Sequence, residues 1–276
     1  MNQNQKFHVG IERLKGKISQ KNIADIAGVQ PNVVGNCSRM LERNGYMAFG
    51  PALLDISISS LATKRKLHVV QIGANDGKEG DPVRDLFFRY SSRAILVEPI
   101  PSLVSSLTEN YSEYKGNLII ENCAISNSDN YFDLWCLKPE YWAEYIERVG
   151  RHPTAIASYD PIPLTEKITD RMGVSPDIAE NMLELLHRPA LTVSNLLKKH
   201  NWKRLDVLQI DAEGYDLEVI LSLGSIRPHI INFESFNLSK EDWESWRSWA
   251  KKENYGYVQG RMDTLAIHGA DFNIDY

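Results

Sequence analysis

One segment near residue 70, Leu67-His68-Val69-Val70-Gln71-Ile72-Gly73-Ala74-Asn75-Asp76-Gly77, sets the expected architecture of the chain. Its first six residues form a short β-rich run, and a glycine follows that run directly. Glycine has no side chain, so it lets the backbone approach a ligand closely and adopt positive φ angles. Asp81-Pro82 then predicts a helix start, because aspartate caps helix N-termini and proline fits the first turn. The segment therefore predicts a strand, a glycine-containing loop and a helix in succession.

The alternation of strands and helices continues along the chain. Further apolar runs typical of strands lie at 94–97, 118–120, 205–210 and 229–233, and 257–268 indicates two more strands around a turn. Segments with apolar residues at helical spacing lie between several of these runs. Such alternation favours an α/β fold of the Rossmann-like kind, with a mostly parallel sheet covered on both faces and an antiparallel edge at the C-terminus.

Polar segments follow four of the strands at their carboxyl ends, where open parallel sheets bind ligands. These segments are Gly73-Ala74-Asn75-Asp76-Gly77, Glu98-Pro99, Asn122-Cys123-Ala124-Ile125 and Asp211-Ala212-Glu213-Gly214. A carboxylate at Glu98 can accept hydrogen bonds from both hydroxyls of a ribose. The segment around Ala124 offers backbone groups and a small apolar surface to an adenine ring. We therefore expect an adenosine-containing cofactor, with Asp211 also beside it.

Two cofactor classes fit such a site. The dinucleotide-binding loop has the pattern G-x-G-x-x-G, but Asn75 and Lys78 occupy the second and third glycine positions of this loop. S-adenosylmethionine has no pyrophosphate and does not require that tight phosphate turn, so the mismatch favours it over NAD. An NAD-dependent oxidoreductase and a non-catalytic binding module with the same fold stay open as alternatives.

Several of these motifs, taken in order, resemble the FkbM-type methyltransferase family. The resemblance covers about residues 68–268 and is carried by Gln71 to Gly77, Val97-Glu98-Pro99, Asp211 to Asp216 and Asn232-Phe233-Glu234. It implies a class I methyltransferase fold with a mostly parallel seven-stranded sheet. It also implies S-adenosylmethionine as the cofactor and O-methylation of a hydroxyl group, with a small molecule or glycan (a sugar, a glycan or a natural product) as the acceptor.

Three carboxylates are the candidate catalytic residues. An alcohol is a poor nucleophile while protonated, and a positioned base contributes roughly 10²–10⁴-fold. Asp211 and Glu213 follow the strand that points at the expected methyl group, and Glu234 ends the next strand. Three convergent carboxylates could instead hold a divalent cation, which prefers oxygen ligands. We regard a divalent metal as an alternative and predict no metal ligands.

Residues 138–190 interrupt the alternation and contain six prolines and several aromatic residues. A structureless loop of this length is rare in a compact domain. We therefore expect this insert to be a lid or a substrate-binding region. The preceding run, Tyr131 to Leu137, predicts an additional strand of the edge type.

Residues 1–66 lie outside the resemblance and form a predicted helical N-terminal extension before the catalytic domain at 67–276. This extension holds ten lysines and arginines against four acidic residues, although the whole chain has a net charge of −5. Residues 18–46 resemble a helix-turn-helix, which leaves a DNA-binding regulator as a further alternative. Arg39 is the sole base-contacting cation of its second helix, which argues against DNA recognition. Covering the sheet edge, closing over the cofactor or forming a homodimer are the other roles open to this extension.

The bulk composition is that of a globular protein. The content of hydrophobic residues is 43% and that of charged residues is 24%. No stretch approaches the roughly 18 uncharged apolar residues that span a bilayer. The first ten residues lack the apolar core of a secretion signal, and the three cysteines have no metal-ligand spacing. These features favour a cytoplasmic location with reduced thiols.

Overall fold

The computed structural model describes residues 49–78, 81–150, 153, 157–270 and 273–274, apart from the side chains of residues 49–52 and 274. Of the expected N-terminal extension, this part contains helix α1 (Phe49–Lys64), which packs through Leu54, Ile58 and Leu61 on the core beneath the first strands. The expected helix-turn-helix at 18–46 lies outside the described residues. The domain boundary at residue 66 therefore stays a prediction.

Strands and helices alternate along most of the chain. In chain order they are β1 (His68–Ile72), α2 (Arg84–Tyr90), β2 (Arg93–Val97), α3 (Pro101–Asn110), β3 (Asn117–Glu121), β4 (Ala124–Ile125), β5 (Asn130–Leu137), α4 (Trp142–Val149), β6 (Ala157–Ser158), α5 (Pro161–Met172), α6 (Pro176–Asn181), β7 (Leu183–Leu191), α7 (Val193–Lys199), β8 (Val207–Ile210), α8 (Asp216–Leu221), β9 (Ile230–Glu234), α9 (Lys240–Lys252), β10 (Tyr255–Gln259), β11 (Asp263–His268) and β12 (Asn273–Ile274). Among the described residues, no helix combines the length and the apolar character that a membrane-spanning segment needs.

The main sheet has the strand order β12-β10-β11-β9-β8-β1-β2-β3. All neighbours from β9 to β3 pair in parallel, whereas β11 runs antiparallel to both β9 and β10. The two-residue strand β12 adds an eighth member at one edge. The structure thus confirms the mostly parallel seven-stranded sheet with an antiparallel C-terminal hairpin.

Strand β1 marks the point at which the strand order reverses, since β2 and β3 lie on one side of it and β8 and β9 on the other. Its residues are buried on both faces. Val70 and Ile72 belong to one apolar core, and Val69 belongs to the core on the opposite face. Ligands of such sheets bind outside the carboxyl ends of the strands at the reversal point. The fold therefore predicts a ligand site at the carboxyl ends of β1, β2 and β8.

A second sheet, with the order β4-β7-β5-β6, combines strands of the insert with the two strands that precede it. Strand β5 lies inside this sheet, between β7 and β6, so the expectation of an edge strand at Tyr131 to Leu137 was wrong. The pairing partner of β5 is β7, which follows it by more than forty residues, and no short-range pattern reveals such a pairing. Helices α4, α5 and α6 pack on the sheet through an apolar cluster of their own that includes Tyr145, Leu164 and Ile168.

Side chains cap several helix starts, and the helix start expected at Asp81-Pro82 differs in position. The Thr192 side chain accepts a hydrogen bond from the Asn195 amide, and Ser239 forms a reciprocal capping box with Asp242. Asp81 also accepts from two backbone amides, those of Val83 and Arg84. Helix α2 nevertheless begins at Arg84 rather than at Pro82, because Asp81 caps a preceding turn before the helix proper.

Candidate active site

The loop after β1 turns away from the sheet at Gly73. This residue has a φ of +72°, and a Cβ placed there would come within 1.9 Å of the Asp211 carbonyl oxygen. The amides of Gly73 and Ala74 both donate to the Val97 carbonyl oxygen at 3.0 Å. Gly73 is thus needed where the ends of three strands converge, and it also lines the pocket described below.

The rest of this loop has a mainly structural role. Ala74 is buried in the core. The side-chain oxygens of Asn75 and Asp76 accept from the amides of Asp76 and Lys78 at 2.7 and 2.9 Å. Gly77 packs so tightly against helix α3 that an added Cβ would lie 2.4 Å from Leu107. Of these residues, Asn75 reaches the pocket, whereas Ala74, Asp76 and Gly77 are not among the residues that line it.

Glu98 joins the first two loops. Its Oε2 accepts from the Asn75 amide and its Oε1 accepts from the Ile100 amide, each at 2.8 Å. The side chain is 3% exposed, and burial raises the pKa of Glu98 to about 7. A carboxylate has about four acceptor positions, so two are left for ribose hydroxyls. Glu98 lines the pocket as the sequence predicts and also braces the two loops that form it.

These loops line an open pocket outside the carboxyl ends of the strands, the place where ligands bind in such sheets. Its apolar wall combines residues after the main-sheet strands with residues of the second sheet. This wall includes Pro99, Ile100, Ala124, Ile125, Phe132, Leu134 and Ala157. Its polar groups include Asn75, Glu98, Asp211 and Glu213. Apolar walls with a few carboxylates suit an adenine ring and its ribose, so the residues present fit an adenosine-containing cofactor.

Asn122 is placed behind the pocket rather than in its wall. Its side-chain amide donates to the Glu98 carbonyl oxygen at 2.8 Å, and its side-chain oxygen accepts from Arg188 Nη2 at 2.5 Å. Arg188 belongs to β7, so this chain of hydrogen bonds ties the second sheet to the Glu98 loop. Asn122 therefore acts on the pocket through the backbone of Glu98.

Asp211 follows β8 and is an exposed residue that lines the pocket. The protein around its carboxylate removes water, and the carboxylates of Glu234 and Asp263 add negative charge. Together they raise the pKa of Asp211 to about 7. Such a value places a carboxyl group at the balance between its acid and base forms near neutral pH.

Glu213 lines the same pocket and has a strained backbone, with a φ of 49°. Positive φ is uncommon for a residue with a side chain and clusters at functional sites. Burial first, and then the charge of Asp211, raise the pKa of Glu213 well above its usual range. The Lys167 ammonium group lies 3.9 Å from Glu213 Oε2 and acts in the opposite direction.

Glu234 and Asp263 complete a carboxylate cluster, defined here as Asp211, Glu213, Glu234 and Asp263. The two residues face each other in the antiparallel pairing of β9 with β11. Burial and the charge of Asp263 raise the pKa of Glu234. The structure thus brings the three candidate catalytic residues close enough to influence one another, although Glu234 is not part of the pocket wall. In the described part of the chain, no group of three or more His, Cys, Asp or Glu side chains has the geometry to hold a metal ion.

Several residues of the site have no signal in the sequence. Phe132, Leu134 and Ala157 reach the pocket from the second sheet, and Lys167 reaches the carboxylate cluster from helix α5. Their positions depend on how the second sheet and helix α5 pack against the main sheet, which local patterns do not encode. Asp263 could have been found, because an acidic residue that opens a strand beside β9 is close to Glu234 in an antiparallel pairing.

The chain belongs to the methyltransferase FkbM domain family, whose profile matches residues 71–258. This match spans the four carboxyl-end segments and the insert, and it confirms the methyltransferase fold class and S-adenosylmethionine as the cofactor. It decides against the oxidoreductase alternative. A comparison with curated protein sequences found no significant match.

Among solved structures, the methyltransferase FkbM from Methylobacillus flagellatus KT is similar, with 11% identity and a TM-score of 0.43 over 74% of this chain and 44% of that one. This chain thus spans less than half of that protein. TrmK of M. capricolum, in complex with S-adenosylhomocysteine, is 9% identical with a TM-score of 0.37 over 78% and 69% of the two chains. The N-terminal domain of human METTL16, also with S-adenosylhomocysteine, is 10% identical with a TM-score of 0.41 over 80% and 71%. All three TM-scores lie below 0.5, so the assignment depends on the family match.

Proposed function

We propose that the protein transfers a methyl group from S-adenosylmethionine to a hydroxyl group of a sugar, a glycan or a glycosylated metabolite. The observation that carries this proposal is the Asp211 carboxylate, which lines the cofactor pocket with its pKa raised to about 7. A base with this pKa removes a proton most effectively near neutral pH.

The pocket residues would hold the cofactor in a fixed orientation. Glu98 offers its remaining acceptor positions to the ribose, and Ala124 and Ile125 offer an apolar surface to the adenine. When bound, S-adenosylmethionine supplies a methyl group on a positively charged sulfur. Fixing the two reactants in line is positioning work that can lower a barrier by several kcal/mol.

The carboxylates would prepare the acceptor. A hydroxyl group attacks poorly while it keeps its proton, so a neighbouring base accelerates the transfer. Asp211 is the stronger candidate, because it lines the pocket and is ionised in part at neutral pH. Glu213 would orient the hydroxyl group or share the proton, since the two carboxylates influence each other directly.

Aromatic side chains near the site suit a sugar. Tyr215 lines the pocket and meets the ring of Tyr159 at a centroid distance of 5.8 Å. Tyr159 is 49% exposed, and Phe236, two residues after Glu234, is 61% exposed. Aromatic faces pack against the apolar C–H faces of a sugar ring while carboxylates accept from its hydroxyl groups.

The test is methyl transfer from methyl-labelled S-adenosylmethionine to a panel of mono- and disaccharides and glycosylated metabolites. Transfer should yield an alkali-stable methyl ether, and Asp211→Asn should lower kcat by about 10²–10⁴-fold. Asp170→Asn, which changes an exposed aspartate of the insert, is the matched control and should leave kcat unchanged. Methylation of nitrogen or carbon, or full activity of Asp211→Asn, would contradict the proposal.

A further inference from the structure

Helix α5 of the insert brings a cation to the carboxylate cluster. Lys167 lies in the middle of this helix, and its Nζ is 3.9 Å from Glu213 Oε2. Glu213 belongs to the loop after β8 of the main sheet. The contact is therefore made between the insert and the catalytic loop, between residues that are 46 positions apart in the sequence.

We propose that Lys167 is a positioning residue of the active site, whose ammonium group holds the Glu213 carboxylate in the orientation and charge state in which it acts on the acceptor hydroxyl. This inference rests on the proposed function and adds to it a residue from outside the motifs of the main sheet. It also gives the insert a definite part in the reaction.

The stability of the fold does not account for this contact. The Lys167 side chain is 36% exposed, and that of Glu213 is 24% exposed. Ion pairs with this much solvent exposure contribute little to folding. Helix α5 is already anchored by Leu164, Ile168 and Met172, which are buried in the core of the insert. The cation is thus not needed to keep the helix in place.

The charges around Glu213 explain what the cation does. The groups that act on it come from its own loop, from α8, from β9 and from α5, and they are Asp211, Asp216, Glu234 and Lys167. Three of these four are acidic, so they disfavour an ionised Glu213. The Lys167 ammonium group opposes them and also lowers the pKa of Asp211 and of Glu234.

The strained backbone of Glu213 supports the same role. Its φ of 49° is a backbone conformation that residues with side chains seldom adopt, and it determines the direction of the Glu213 side chain. Such strain persists where surrounding contacts hold it. The ammonium group of Lys167 is a contact of this kind, because it attracts the carboxylate from the neighbouring helix α5.

The experiment follows the Glu213 carboxyl carbon by NMR in full-length protein labelled with ¹³C-glutamate, with Glu213→Gln used to assign the signal. Lys167→Met should raise the midpoint of the Glu213 titration by about one pH unit, the low end of the effect of an adjacent opposite charge. Lys167→Arg should restore the midpoint. Lys115→Met changes an exposed lysine that is distant from Glu213 in the sequence, and it should leave the midpoint unchanged. An unchanged midpoint in Lys167→Met would overturn the proposal.

A second measurement separates this proposal from the proposed function. The NMR titration uses neither cofactor nor acceptor, so it gives its answer even if no methyl transfer is found. Where transfer is measured, the acid limb of the kcat profile should move to higher pH in Lys167→Met and return in Lys167→Arg. A shifted titration with an unmoved acid limb would show that Glu213 does not depend on Lys167 for catalysis.

Discussion

Gly73 and Asp211 lie so close together that a Cβ on Gly73 would come within 1.9 Å of the Asp211 carbonyl oxygen. The contact joins the end of β1 to the end of β8, which are neighbours at the point where the strand order reverses. The glycine thus allows the loop after β1 and the loop after β8 to meet. Both the pocket and the placement of Asp211 depend on this approach.

Replacing Gly73 with alanine should therefore disrupt the site. We expect Gly73→Ala to lower the free energy of unfolding by more than 2 kcal/mol, because it combines a positive φ with a steric clash. Gly150→Ala is the matched control, since Gly150 has the same φ of +72° with no atom within 4 Å of its Cβ position. It should cost only about 1 kcal/mol. Equal losses in urea unfolding would show that the approach to Asp211 is not tight.

The hydrogen bond between Arg188 and Asn122 should couple the insert to the Glu98 loop. We expect Arg188→Ala and Asn122→Ala to have non-additive effects on the free energy of unfolding, with a coupling of about 0.5–3 kcal/mol in a double-mutant cycle. The exposed pair Arg148 and Glu144 is the matched control. Its coupling should be about 0.3–0.5 kcal/mol. Additive losses at Arg188 and Asn122 would mean that the second sheet and the Glu98 loop are held independently.

The raised pKa of Asp211 should appear in the pH dependence of stability. A folded-state pKa of about 7 against about 3.9 in the unfolded chain means that the folded state favours the protonated form. The contribution of this group to the free energy of unfolding is therefore fully present below about pH 4 and is lost as the pH rises through 7. Asparagine cannot ionise. Asp211→Asn should thus melt at a higher temperature than the wild type at pH 8, and this advantage should vanish toward pH 4.

The exposed Asp170 supplies the control for this comparison. Asp170→Asn should show no advantage that grows with pH. A wild type that melts above Asp211→Asn at pH 8, by a margin that increases with pH, would contradict the raised pKa and with it the assignment of Asp211 as the base.

The sequence was sufficient to predict the main sheet and the residues at its carboxyl ends, because each strand and loop carries a local signal. Val69 to Ile72 and Gly73 are an example, since a buried strand followed by a glycine is readable without a structure. The second sheet was not predictable in this way. Strand β5 pairs with β7 across an intervening set of helices, and that pairing places Phe132 and Leu134 in the pocket.

The roles of individual residues also needed the structure. Asp76, Gly77 and Asn122 are in motifs that suggest contact with the cofactor, yet their side chains or backbone shape the loops behind the pocket. Glu98 both lines the pocket and holds two loops together. Only its hydrogen bonds with the backbone amides of Asn75 and Ile100 reveal the second role. A motif shows which residues a site needs. It does not distinguish the residues that line the pocket from those that hold the surrounding loops in place.

The most direct test of the account is isothermal titration of the purified protein with S-adenosylhomocysteine, with NAD as the competing ligand and Glu98→Gln as the variant. Glutamine keeps the size of Glu98 but replaces one oxygen with an N–H donor, so one of the two amides at Asn75 and Ile100 loses its acceptor. Glu109→Gln, on the exposed face of α3, is the control. We predict micromolar binding of S-adenosylhomocysteine, weakened at least about tenfold in Glu98→Gln, a loss of about 1.4 kcal/mol, and unchanged in Glu109→Gln. Absence of binding, or tighter binding of NAD, would contradict the assignment of this pocket to S-adenosylmethionine.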